Sequence, residues 1–192
     1  MKGIVHKLTD KIVSCLLADK AIDDTEAEAY KFGVEVMLLK AAHISTYMLI
    51  AAVMKKIPEF LIIFGILSFF RRNTGGFHAK TRMGCYVFSC TAITAGLFLA
   101  DGFRYVLPWQ VHLFLAAGIC LMWRLTPVEH QNRKLDQEEV LFFKRRQIWD
   151  SIIFFILYIT IWAAAGDIRL PYFMTVGMGL NTVLAVLGKL GQ

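Results

Sequence analysis

Apolar residues along the chain gather in blocks, and charge-rich connections separate the blocks. Residues 4–17 place Ile4, Val5, Leu8, Ile12, Val13, Leu16 and Leu17 at helical spacing, with Lys7, Asp10 and Lys11 between them. That pattern predicts an amphipathic helix lying on a membrane surface rather than crossing it. The Asp-Asp-Thr-Glu stretch at 23–26 is a helix start signal. The helix it opens turns strongly apolar over about 36–54, with Lys40 and His43 inside it. Five more blocks follow, at 57–70, 83–100, 109–123, 148–165 and 172–187. A straight span needs roughly 20 residues, so the 57–70 block predicts a short, tilted or re-entrant segment.

The blocks therefore predict an all-α fold: a polytopic membrane helix bundle of about six membrane segments, plus the N-terminal amphipathic surface helix. A chain of 192 residues without a Gly/Ser or Pro-rich linker is expected to form one membrane-embedded domain over 1–192. Its parts are an amphipathic N-terminal segment (1–30), a polar loop at 71–85 and a longer polar loop at 124–147. Neither a solenoid repeat nor the inverted repeat of many transporters is visible.

Composition strengthens this picture. Hydrophobic residues make up 57% of the chain and charged residues only 19%, against about a quarter charged in ordinary soluble domains. The net charge of +6 sits at block ends, where it meets headgroups and sets topology, so no nucleic-acid partner is expected. With a cytoplasmic N-terminus, the inside segments hold Lys2, Lys7, Lys11, Lys20 and Lys31; Arg71, Arg72, Lys80 and Arg82; Arg124, Arg133, Lys134, Lys144, Arg145 and Arg146; and Lys189. The outside connections hold only Lys55, Lys56, Arg104 and Arg169. This positive-inside bias predicts that both termini and both polar loops are cytoplasmic; the two outside lysines are its weak point. The opening MKGIVHKLTDKIVSCLL lacks a signal peptide's continuous apolar core and cleavage site, so the N-terminus is expected to be retained. Four cysteines without CxxC spacing argue against a disulfide framework.

The chemistry concentrates in the first polar loop, RRNTGGFHAKTRMGC at 71–85. Cys85 lies within about a turn of a predicted N-cap at Thr81. There the helix dipole and a nearby imidazole favour thiolate, the form in which cysteine is a nucleophile. His78 precedes it by seven residues. In one continuous helix the two would be about 10 Å apart along the axis, so they can meet only across a bent chain, which Gly75 and Gly76 permit and Gly84 assists. Spacing alone fits two readings: an inert thiol in a headgroup-facing loop, or a thiol–imidazole pair. Cys90 and Cys120 lie within apolar blocks as small hydrophobes, and Cys15 lies on the surface helix. His43 reads as a polar contact within the bundle, His112 as a residue near a membrane end, His130 as a loop residue, and Asn181 as a polar group bonded across helices. No zinc-ligand spacing, G-x-S-x-G elbow or Walker motif is present, so no metal or cofactor is expected.

The stretch R-R-N-T-G-G-F-H-A-x-T-x-x-x-C from Arg71 to Cys85 resembles the accessory gene regulator protein B (AgrB) family, membrane cysteine endopeptidases of bacterial peptide quorum sensing. Chain length, the flanking apolar blocks and the Pro-Val-Glu…Asn-Arg-Lys segment at 127–134 are similar too. The resemblance implies a thiol protease of the bacterial cell membrane that cuts a small AgrD-like precursor peptide near its C-terminus. Cys85 would be the nucleophile and His78 its base. The enzyme thioester would then pass to an internal nucleophile of the peptide, closing a thiolactone or lactone. A homodimer and contact with membrane lipid are implied as well. Arg71 and Arg72 suit carboxylates of the precursor's tail or lipid headgroups. Glu129, Asn132 and Asn73 are candidates to orient His78 by chemistry alone. The competing class is a non-enzymatic membrane peptide exporter or adaptor, for which Lys40, His43, Gly177 and Gly179 are the nearest intramembrane features.

Overall fold

A computed structural model of the chain describes residues 2–76, 81–128 and 135–191. Among these, seven α-helices run in order: α1 (Lys2–Ala18), α2 (Ala27–Val53), α3 (Ile57–Thr74), α4 (Arg82–Leu99), α5 (Pro108–Leu125), α6 (Gln137–Ala165) and α7 (Arg169–Leu190). A 3₁₀ turn, Ala100–Tyr105, follows α4, and no strand occurs among the described residues. The all-α membrane bundle expected from the sequence is met. Among the described residues, four stretches are long and apolar enough to cross a membrane: Ala27–Val53, Arg82–Gly102, Gln137–Ala165 and Arg169–Leu190. The 18-residue helices α3 and α5 reach about 27 Å at 1.5 Å per residue, just under the hydrocarbon thickness. α5 carries exposed Trp109 and Trp123 near its two ends, where membrane interfaces favour indole rings.

The chain divides into two compact units, Met1–Leu49 and Ile50–Gln192. In the first, Thr9 and Val13 are buried one turn apart on α1. Asp10 of α1 faces Lys31 of α2 at 3.7 Å, and Tyr47 of α2 is buried beside the ring of His43.

In the second unit α7 is the axis, packed chiefly on α3 and α5. Its Gly177 faces α3 so closely that a Cβ there would lie 3.0 Å from the Ile63 carbonyl oxygen. In lipid no hydrophobic force drives helices together, so such backbone approach and van der Waals packing do that work. Gly179, two residues on, has no atom within 4 Å of such a Cβ and takes no part in it. The core joins Phe70 of α3, Met122 of α5, Phe154 and Tyr158 of α6, and Met178 of α7. Phe70 and Phe154 meet edge to face at 5.1 Å. Outward faces are apolar instead: Phe142, Trp149, Ile153 and Ile156 on α6 are all exposed, the surface a lipid solvent requires.

Two boundaries differ from the sequence reading. α3 does not stop at Phe70 but carries Arg71, Arg72, Asn73 and Thr74 as its last turn, because Asn73 and Thr74 are buried rather than solvated. α6 begins at Gln137, eleven residues before its apolar block. Asp136 starts it with a capping box, its carboxylate accepting from Glu139 N–H at 2.7 Å while the Glu139 carboxylate accepts from Asp136 N–H at 3.4 Å. The expected loops at 71–85 and 124–147 are therefore largely helix ends.

Candidate functional site

The site is built where α3 ends and α4 begins. Gly75 leaves α3 at φ +70 and Gly76 continues at φ +146, both in the region that favours glycine. At Gly75 space demands glycine as well as angle. A Cβ on Gly75 would stand 2.5 Å from the Val128 carbonyl oxygen, and one on Gly76 would stand 2.8 Å from Arg71 Nη1. Val128 N–H donates to the Thr74 carbonyl at 2.9 Å, so the segment after α5 is pinned against this exit. Arg71 is half-buried with its guanidinium under Gly76, whereas Arg72 is exposed. The two arginines grouped in the sequence reading thus point to different surroundings, and both sit where a helix C-terminus favours cations.

On the other side, Thr81 is extended at φ −121, ψ 147 and caps α4, its hydroxyl accepting from Gly84 N–H at 3.0 Å. The predicted cap is met. Because Thr81 is extended, no single helix runs through 78–85. Cys85 is half-buried in the first turn, and its own N–H donates to the Thr81 carbonyl at 3.0 Å. The N–H groups of both Gly84 and Cys85 are thus committed to Thr81. All fully buried residues of α4 lie further on, at Ile93, Gly96 and Leu97. His78, Glu129 and Asn132, with His130, lie outside the described residues.

Behind the exit lies a set of buried polar side chains. Thr74 and Asn181 are 0% exposed. The Thr74 hydroxyl has three acceptors in reach: Phe70 O at 3.2 Å, Gly75 O at 3.3 Å and Asn181 Oδ1 at 3.4 Å. The Asn181 amide donates to Met122 Sδ at 3.8 Å, so this residue does bond across helices, linking α3, α7 and α5. Asn73 Nδ2 donates to Asp150 Oδ2 of α6. Asp150 is 4% exposed, and Arg146 Nε stands 3.8 Å from its other oxygen. One turn toward the start of α6, Gln147 is 1% exposed, with neither amide atom hydrogen-bonded among the described residues.

Sequence reasoning missed Asp150 and Gln147. The signal was present in Gln147, Asp150 and Ser151, which stand at i, i+3 and i+4 at the start of an apolar run. That is one polar stripe on a helix that enters the bundle, and an ionisable residue there is a functional candidate. The structure also puts His112 deeper than expected: its Nδ1 lies 2.7 Å from the hydroxyl of buried Tyr158, and its ring is 4.8 Å from Trp162. Among the described residues no three His, Cys, Asp or Glu side chains converge as a metal site would need.

An all-helical membrane protein with a half-buried cysteine at a helix start, beside a glycine-forced turn over polar side chains, is the class these features define. The family model for accessory gene regulator B matches residues 5–186, nearly the whole chain. The chain belongs to the AgrB family, which is associated with the processing and export of autoinducing peptides in quorum sensing. No curated protein and no solved structure matches it.

Proposed function

We propose that this protein is a membrane cysteine endopeptidase that cuts a small precursor peptide and promotes its cyclisation. The observation that carries the reading is the placement of Cys85 on the first turn of α4, opened by the extended Thr81, with His78 seven residues earlier in the sequence. His78 removes the thiol proton, and the Cys85 thiolate adds to the scissile carbonyl. The C–N bond then breaks, the proton passes to the leaving amine, and the upstream peptide remains as a thioester on Cys85. An internal thiol or hydroxyl of that peptide next attacks the thioester carbonyl. Ring closure returns the Cys85 thiol and gives a thiolactone or lactone. Exclusion of water keeps the acyl bond for this exchange, and a site at the membrane edge suits that need.

The positive-inside bias supports a cytoplasmic catalytic connection with both termini on the same side, and the family supports a homodimer. Arg72, exposed at the end of α3, is the better placed of the two arginines to meet carboxylates of the precursor's tail or lipid headgroups. The test is cleavage of the precursor by protein reconstituted in lipid. Cys85→Ala is expected to lower the rate at least about a thousandfold while the protein still inserts, and Cys90→Ala to leave it unchanged. Undiminished cleavage by Cys85→Ala overturns the reading. Peptide transport into liposomes by protein that never forms a Cys85 acyl adduct would favour the exporter class instead.

A further inference from the structure

We infer that Asp150 is a positioning residue for this chemistry, acting through Asn73 on the turn of backbone that leads to His78; the inference rests on the peptidase reading above. Asp150 is the one carboxylate fully buried among the described residues. Burying a carboxylate costs several kcal/mol unless it is paired and hydrogen-bonded, and this one is answered from two sides. Asn73 donates to Oδ2, and the half-exposed Arg146 guanidinium lies 3.8 Å from Oδ1. Packing does not need the pair. α3 and α6 already meet one turn deeper through Phe70 and Phe154, and an apolar contact of similar size would hold the helices as well at less desolvation cost.

Position explains what packing does not. Asn73 stands two residues before Gly75, where the chain turns out of α3. From Asn73 to His78 is five residues, at most about 17 Å of extended chain, so rotation of the last helical turn carries into the placement of the imidazole. α6 runs antiparallel to α3 at this contact, since Phe70 meets Phe154 and Asn73 meets Asp150. One turn beyond Asp150 on α6 lies the buried amide of Gln147, unpartnered among the described residues. A buried amide without a partner is costly and rare. Asp150 and Gln147 together form a buried polar stripe on α6, met by the last turn of α3 at Asp150.

The experiment uses the whole protein in lipid nanodiscs, with Cys15, Cys90 and Cys120 replaced by Ala, and two readouts: precursor cleavage, and alkylation of Cys85 by iodoacetamide without any peptide. Asp150→Ala is expected to lower kcat at least about tenfold with KM within about twofold, the pattern of a lost transition-state arrangement. It should also slow Cys85 alkylation severalfold. The swap N73D/D150N, which keeps one amide and one carboxylate in contact, is expected to restore both rates to within about threefold of the parent. In a His78→Ala background, Asp150→Ala should slow alkylation no further, because one arrangement has already been lost.

Parent-like rates in Asp150→Ala overturn the inference, as does a swap no better than the single variants. An additional loss in the His78→Ala background also overturns it, since it would mean a general structural role. If Asp150→Ala does not insert, the isosteric Asp150→Asn and the swap carry the same comparison. Failure of the peptidase reading is seen separately, in cleavage by Cys85→Ala, and leaves the alkylation data to judge Asp150.

Discussion

The two ends of α3 are held by opposite means. At its start, Lys56 donates to the Leu97 carbonyl at 2.7 Å and to Asp101 at 2.8 Å, Arg169 reaches Glu59 at 3.5 Å, and Tyr172 donates to the Leu99 carbonyl at 2.8 Å. These are long side chains with at least one solvated partner, and they tie α3, α4 and α7 together. At its finish, Asn73, Thr74, Asp150 and Asn181 are buried, short and mostly uncharged, and they surround a backbone turn that only glycine fits. The first end is a clasp that tolerates imprecision, because flexible cations adjust to their partners. The second fixes backbone direction at a cost in desolvation, which is what a site needs and a clasp does not.

Breaking the second end should therefore cost activity beyond stability, and breaking the first should cost stability alone. The largest effect is expected from Gly75→Ala, which combines a left-handed backbone with a 2.5 Å approach to the Val128 carbonyl. It should destabilise by about 1–3 kcal/mol and lower precursor cleavage more than tenfold or so, measured by thermal unfolding in detergent and by the cleavage assay. Asn181→Leu removes the link among Thr74, Met122 and α7. Buried polar contacts between membrane helices average about 0.6 kcal/mol and reach about 1.7, so a loss within that range is expected, accompanied by slower cleavage. Lys56→Met should cost about 1 kcal/mol or less and leave kcat unchanged. Smallest is Tyr172→Phe, with one hydrogen bond lost, about 0.5–1 kcal/mol, and no change in cleavage. A Lys56 or Tyr172 variant that folds normally but cuts slowly would erase the distinction between the two ends.

Lys56, one of the two lysines that stood against the positive-inside pattern, donates to a helix-end carbonyl and an aspartate, contacts that the sequence did not reveal. The apolar blocks and the Thr81 cap were legible because periodicity and capping act locally along the chain. The last turn of α3 was not, since Arg-Arg-Asn-Thr is polar by composition and becomes helix only through burial against α6 and α7. The early start of α6 was legible and missed: Asp136 and Glu139 form the same kind of start signal as the stretch read at 23–26. For the candidate site, residue types singled out Cys85 and the glycines, but the separation of Arg71 from Arg72 depends on the turn at Gly75 and Gly76, which spacing does not encode. Asp150 was hidden inside an apolar block whose other residues defined the reading.

The distribution of burial along α4 has a mechanical consequence. With its fully buried side chains confined to the far half, this helix is clamped most tightly there, and the thiol lies toward the other end. Cys85 is eight residues from Ile93, about 12 Å of lever arm at 1.5 Å per residue. A tilt of about 5° at the clamp would carry the sulfur roughly 1 Å, a displacement large enough to change the rate of a positioned reaction about a hundredfold. Helix tilt responds to bilayer thickness, so a change in the surrounding lipid that tilts α4 would also move the Cys85 sulfur.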